Sequence, residues 1–212
     1  MSTKEERLII DKVTFLQNFQ MLLPQHYHQD SLKRLAFLQG KSLRKAAVLI
    51  GLVERDNGLH VIFTQRAAHL RYHPGQISFP GGKYELNDVN LMVTALRETE
   101  EEIGIHTSSI EVFGQLPSLP TVSRFSVTPF LAFVEPTYNP NIDPNEVASI
   151  FEIPLNHILN PQKMLSSYFQ LKSTHHRVFA VQYQQHFIWG MTAQIIESMQ
   201  RHILEGHLEK MA

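Results

Sequence analysis

Residues 97–105, Arg97-Glu98-Thr99-Glu100-Glu101-Glu102-Ile103-Gly104-Ile105, follow a Pro80-Gly81-Gly82 turn by a short loop. Glu98, Glu101 and Glu102 stand at i, i+3 and i+4. On an α-helix this spacing gathers three carboxylates into an arc of roughly 100°. Such a cluster repels itself unless a cation sits in it. A hard divalent metal with oxygen ligands is the natural occupant, usually beside a phosphate. The pattern therefore points to a metal-dependent enzyme acting on a phosphorylated compound. Taken alone, it also fits an exposed acidic helix end with Arg97–Glu101 as an i, i+4 pair.

Composition narrows the partners. The 212 residues carry a formal net charge of −1, so nothing pulls the chain as a whole toward nucleic acid or an anionic membrane. Anionic ligands must be met by local charge. Cysteine is absent, which excludes disulfides, zinc thiolates and thiol nucleophiles and fits a reducing, cytoplasmic location. The N-terminal Met1-Ser2-Thr3-Lys4-Glu5-Glu6-Arg7 is too charged for a signal peptide. No apolar run is long enough for a membrane span. The twelve histidines are scattered and form no H-E-x-x-H pattern.

The elements that must position the carboxylates follow from periodicity. Leu8, Val13, Leu16, Phe19 and Leu23 suggest a helix over 4–23, ended by Pro24, with a short helix near 30–38. Lys45 to Glu54 and Leu59 to Arg66 read as a hairpin around Asn57-Gly58. Gln76 to Pro80 is a short strand, and Gly81 to Asn90 a loop. Leu91 to Ile103 is a helix stopped by Gly104, with Met92, Leu96 and Ile103 as its buried stripe. That stripe puts the carboxylate arc roughly 130° away. Strands are expected near 110–116, 127–134, 151–154, 176–183 and 187–189. A prolyl loop covers 136–144, a helical turn 155–159, and an amphipathic helix 191–204. Phe187 and Trp189 read as core. The whole is an α/β (α+β) arrangement, a mixed sheet sandwiched between α-helices.

Turn, loop and helix with R-E-x-x-E-E-x-G resemble the Nudix box, G-x5-E-x7-R-E-U-x-E-E-x-G-U, where U is bulky and aliphatic. Residues 97–105 match apart from Thr99 at the first U. Upstream, Gly82 and Asp88 keep the x5 interval, but eight residues separate Asp88 from Arg97, a one-residue insertion with Asp in place of Glu. A narrower resemblance covers Phe63 to Gly82, F-T-Q-R-A-A-H-L-R-Y-H-P-G-Q-I-S-F-P-G-G. It is similar to the segment preceding the box in coenzyme A pyrophosphatases, as is Phe187-Ile188-Trp189-Gly190-Met191-Thr192-Ala193 to their W-G-x-T-A.

The resemblance implies one Nudix domain over 1–212 with an N-terminal helical extension of about 40 residues. It implies Mg²⁺- or Mn²⁺-dependent hydrolysis of a diphosphate linkage. Coenzyme A would give 4′-phosphopantetheine and adenosine 3′,5′-bisphosphate. The alternatives are another nucleoside diphosphate derivative (ADP-ribose, a dinucleotide or a nucleoside triphosphate) and a ligand-sensing module without catalysis. Glu98 and Glu102 are expected as principal metal ligands and Glu101 as a further ligand or the holder of the metal's water. Arg97 would orient the carboxylates. Gly81 and Gly82 would bring backbone close to phosphate. Arg66, Arg71, Gln76 and Lys83 are candidates for ligand phosphates, with surface solvation an equal alternative for the arginines. Glu146 is a candidate general base, or an ordinary loop carboxylate. Small-molecule partners are expected, without nucleic acid or membrane; a homodimer is left open.

Overall fold

The computed structural model describes residues 10–20, 42–171 and 174–208. Its centre is β1 (Arg44–Arg55), whose sequence R-K-A-A-V-L-I-G-L-V-E-R is apolar almost throughout. Alternation along an extended strand sends successive side chains to opposite faces, so such a run must be covered on both. Ala46, Ile50 and Leu52 join one apolar cluster, with Val48 packed against it. Ala47, Leu49 and Val53 belong to clusters on the other face. The sandwich expected from sequence is the fold observed.

Two helices cover the first face. Phe15 and Phe19 of α1 (Lys12–Gln20) share its cluster with Ile195, Ile196 and Met199 of the C-terminal helix. The helix expected over 4–23 is described only over this stretch, and the one expected near 30–38 lies outside the described residues. The other face is covered by α2 (Leu91–Ile103), whose Ala95 packs on Ala47 and Leu49. Asn90 caps α2 by accepting from the Val93 amide at 3.0 Å, and Gly104 ends it with φ of 68°.

Around β1 lies a mixed sheet of eight strands among the described residues. β2 (Gly58–Arg66) and β7 (Phe125–Val134) flank β1, antiparallel and parallel respectively. The hairpin signal holds: Arg55 pairs with Gly58, whose φ of 105° closes the turn. β3 (Ile77–Ser78) and β8 (Val147–Pro154) pair with β2, while β5 (Ile110–Gln115) and β6 (Leu119–Pro120) pair with β7. Residues 81–83, expected to be loop, instead form β4 (Gly81–Lys83), antiparallel to Ala46–Val48. α3 (Leu155–Ile158) follows β8.

A second, three-stranded antiparallel sheet contains β9 (Met164–Leu171), β10 (Thr174–Tyr183) and β11 (His186–Trp189). It leads into α4 (Met191–Leu208). Phe179, Val181 and Ile188 of this sheet enter the main core. Period-two alternation turns Phe187 and Trp189 the other way, and they are 50% and 47% exposed. The expectation that these two rings are core is thereby corrected. Among the described residues no helix is long and apolar enough to cross a membrane.

A polar clamp ties β1 to β8. Glu152 accepts from Arg55 Nη2 at 2.6 Å and Nε at 3.0 Å, and from the Tyr138 hydroxyl at 2.7 Å. Burial raises the Glu152 carboxyl toward protonation, but the hydrogen bonds from Arg55 and Tyr138 outweigh it and hold the group below its ordinary value. A depressed carboxyl contributes stability above its unfolded pKa, and that contribution is lost as pH falls through the folded value. Glu152→Gln should therefore cost about 1–3 kcal/mol at pH 7. In urea titrations the gap to the parent should narrow below about pH 4. A gap independent of pH would contradict the clamp.

Candidate active site

The site grows from the contact between β4 and α2. Two glycines pass beneath the helix, and each serves one carboxylate. The Gly81 amide donates to Glu102 Oε2 at 3.2 Å. Gly81 has φ of 149°, and a Cβ there would overlap the Ala47 carbonyl. At Gly82 a Cβ would overlap the Glu98 carboxylate itself. Glycine at 82 thus leaves the space that Glu98 fills, and its backbone conformation does not demand glycine.

This geometry corrects the expected orientation of α2. Met92 is 37% exposed, whereas Thr94, Ala95, Thr99, Glu102 and Ile103 are buried. The inward face therefore carries Glu102 rather than turning it away. Thr99 is tolerated there because its hydroxyl donates to the Ala95 carbonyl at 2.7 Å.

Burial of Glu102, only 4% exposed, pushes its carboxyl up to about 8. The Gly81 amide lowers it, Glu98 and Glu146 raise it further, and Arg66 opposes them. Glu98 is raised as well, first by its burial and also by Glu101 and Glu146, against the pull of Arg97. Burial is the first cause in both cases, and the neighbouring cations, Arg97 at Glu98 and Arg66 at Glu102, do not offset it.

Arg97 closes the outer side. Its Nε and Nη2 donate to the two Asp88 oxygens at 3.0 and 3.1 Å. Nη1 donates to Glu101 at 2.7 Å, and Nη2 also reaches the Lys83 carbonyl at 3.1 Å and lies 3.1 Å from Glu98. Asp88 also accepts from Thr94 Oγ1 and the Glu85 amide. The guanidinium of Arg97 first, with those donors, holds the buried Asp88 carboxyl far below the usual range. Asp88 therefore anchors Arg97, and Arg97 orients Glu98 and Glu101.

Residues 43–173 match the model of the NUDIX domain. The chain belongs to the NUDIX family. It is 40% identical over 186 residues to a protein of Enterobacter sp. (strain 638) called "Uncharacterized Nudix hydrolase NudL", covering 87% of this chain and 91% of the relative. A Salmonella typhimurium relative of the same name is 38% identical over 194 residues, covering 91% and 94%. Among solved structures, the crystal structure of a C. elegans Ap4A hydrolase binary complex matches 52% of this chain and 80% of its own, with 20% identity and a TM-score of 0.46. The NUDIX domain of Shewanella oneidensis NrtR, crystallised with ADP ribose, matches 60% and 85%, with 21% identity and a TM-score of 0.43.

Within this Nudix frame the other sequence candidates divide. Arg66 faces Glu102, and Glu146 is exposed yet near enough to act on both Glu98 and Glu102. Gln76, Arg66 and Gly81 line a groove of about 440 Å³. Arg71 is not brought there: it is exposed, with its guanidinium 5.4 Å from the ring centre of its neighbour Tyr72. The Lys83 side chain is likewise exposed, and its carbonyl serves Arg97. Glu101 is 60% exposed and engaged by Arg97, outside the buried pair. Among the described residues no three acidic or histidine side chains are already gathered as a metal-ligand set. Glu98 and Glu102, one helical turn apart and both drawn inward, are hard oxygen donors of the kind a divalent cation takes.

Sequence reasoning missed Arg177, Trp189 and the turn Thr121-Val122-Ser123, which line the same groove. Only the W-G-x-T-A resemblance touched this region. No local pattern marks Arg177, because strand pairing brings it there.

Two outcomes follow. Gly82→Ala should keep the fold, since Gly82 has no positive φ, but should weaken Mn²⁺ binding about tenfold or more by displacing Glu98. Calorimetry with unchanged affinity would separate Glu98 from the site. Because protonated Glu102 must give up its proton to a cation, Mn²⁺ affinity should rise with pH up to about 8 and binding should release protons. Flat affinity from pH 6 to 8 would contradict this.

Proposed function

We propose that this Nudix hydrolase cleaves the diphosphate linkage of coenzyme A or its derivatives, giving 4′-phosphopantetheine and adenosine 3′,5′-bisphosphate. One observation carries the choice of substrate. The two segments that resemble coenzyme A pyrophosphatases, 63–82 and 187–193, lie far apart in the chain but wall one groove. Thr192 Oγ1 of the second donates to the Ile77 carbonyl of the first at 3.0 Å. Gly81, whose amide holds Glu102, also lines it. A diphosphate ester laid along it brings its linkage to the carboxylates and its organic part over the apolar wall.

Glu98 and Glu102 would hold the ion, with Glu101 beside them on the helix and Arg97 setting its position. The ion, when bound, supplies positive charge that offsets the diphosphate and acidifies water. The chain's own groups do the rest. The Arg66 guanidinium, already near Glu102, meets phosphate oxygens with forked hydrogen bonds. Gln76, on the same wall, offers an amide to the substrate. Glu146, exposed and close to both glutamates, accepts the proton of the attacking water. The Gly81 amide and the Arg97 network keep the carboxylates in place through the cycle.

The test combines product identity with a ligand variant. Mass spectrometry after incubation with Mg²⁺ and coenzyme A should show both named products. Glu102→Gln should cut turnover by more than about a hundredfold while leaving the melting temperature nearly unchanged, because the metal-binding charge is lost at similar shape. Cleavage of ADP-ribose with none of coenzyme A would overturn the substrate, and near-normal turnover by Glu102→Gln would overturn the ligand assignment.

A further inference from the structure

Arg177 is a cation on a face that is otherwise largely apolar. On β10 it shares a face with Phe179 and Val181, both buried in the main core. Cross-strand pairing sets it opposite Tyr168, with Ser166 opposite Phe179. Its guanidinium lies 4.8 Å from the Phe179 ring centre and 5.8 Å from that of Tyr168, and Nη2 donates to Ser166 Oγ at 2.9 Å. The side chain is therefore fixed by two rings and one hydroxyl. Its Nε is buried and has no hydrogen-bond partner among the described residues.

The charge is also unmatched. Arg55 is paired with Glu152, Arg97 with Asp88 and Glu101, and Arg201 with Glu197. Among the described residues no carboxylate lies within ion-pair distance of Arg177. A half-buried guanidinium without a counter-charge, and with an orphaned donor, loses stability that a paired one keeps. The group lines the same groove of about 440 Å³ as Arg66 and Gly81, so a ligand lying in that groove can reach it. Arg66 occupies the end near the carboxylates and is the cation for the diphosphate. Arg177 belongs to the other sheet.

We propose that Arg177 is a specificity residue that binds a phosphate monoester on the nucleoside part of the substrate, remote from the scissile diphosphate. The inference rests on the diphosphate reading of the same groove and adds a second anionic subsite to it. The coenzyme A skeleton carries such a group, the 3′-phosphate that leaves with adenosine. A phosphate presents several acceptors to one planar fork, which a preorganised arginine matches better than a mobile lysine. The rings of Phe179 and Tyr168 exclude water from the guanidinium faces and strengthen the contact.

Binding of product-like ligands tests this without turnover. Calorimetry compares adenosine 3′,5′-bisphosphate with AMP in one Mg²⁺ buffer. The wild-type chain should bind the bisphosphate about tenfold or more tightly. Arg177→Ala should bring that ratio close to one, and Arg177→Lys should restore part of it. Lys163→Ala, which removes the same charge from an exposed turn outside the groove, should keep the wild-type ratio. Should Arg177→Ala unfold, Arg177→Gln, which keeps the stem but not the charge, carries the same comparison. Equal wild-type affinities, or a ratio that survives loss of the Arg177 charge, would overturn the subsite. Failure to cleave coenzyme A with the binding ratio intact would overturn the substrate proposal alone.

Discussion

Everything in this molecule that bears on chemistry depends on pressing two carboxylates of α2 against a glycine strand. Burying a carboxyl is costly, and the cost shows in Glu102, pushed up to about 8, and in Glu98, raised beside it. The fold accepts that cost only where a rigid frame prevents the helix from rotating Glu98 and Glu102 out to water. β4 pairs with β1, and β1 is locked between β2 and β7. Ala95, Thr99 and Ile103 fix the rotation of α2 over the same strand, since none of them can leave the interior. The glycine pair is then the smallest surface that can lie under the carboxylates, one supplying an amide and the other supplying room.

The Asp88–Arg97 pair shows how a departure from a family pattern can keep its physics. Relative to the usual box, the acid is shorter by one methylene and the chain between acid and arginine longer by one residue. With that loop and that shorter acid, both Asp88 oxygens still meet the guanidinium. Thr94 and the Glu85 amide supply the remaining partners of a carboxylate that is almost fully buried. A buried pair contributes little net stability when its desolvation is counted, but breaking it is strongly unfavourable. Its consequence here is positional: the guanidinium that Asp88 holds also donates to Glu101 at 2.7 Å, at the outer edge of the helix.

Local signals wrote most of the frame into the sequence. The β1–β2 hairpin, the α2 limits and the α4 start each follow from alternation, Asn-Gly, Asn90 and Gly104, all of which act over a few residues. The failures share one cause, side chains whose partners lie far along the chain. Residues 81–83 look like loop because glycine has poor strand propensity, and only β1 makes them a strand. Met92 looks buried and Glu102 exposed by residue type, yet the cradle at Gly81 reverses the two. β9 was not foreseen, because its alternation is mixed: Leu165 and Tyr168, on opposite faces, are both exposed, and Ser166 and Ser167 stand between them. Phe187 and Trp189 were misread for the same reason. In the candidate site, spacing put Glu98 and Glu102 on one helix face but did not separate Glu101, which is exposed, from them, and Arg177 entered only through strand pairing.

That difference reflects how the site is assembled. The groups near the carboxylates, Arg66, Gly81, Glu98 and Glu102, all come from the large sheet and the helix packed on it. Arg177 and Trp189, farther along the groove, come from the small sheet, tied to the large one through Thr192 and Ile77. Substitutions in the small sheet can therefore reshape what the groove accepts without moving the glycine cradle. The reverse does not hold, since Gly81 belongs both to the groove wall and to the carboxylate contact. A change at β4 would disturb chemistry and recognition together, which makes the two-glycine strand the least replaceable stretch of the protein.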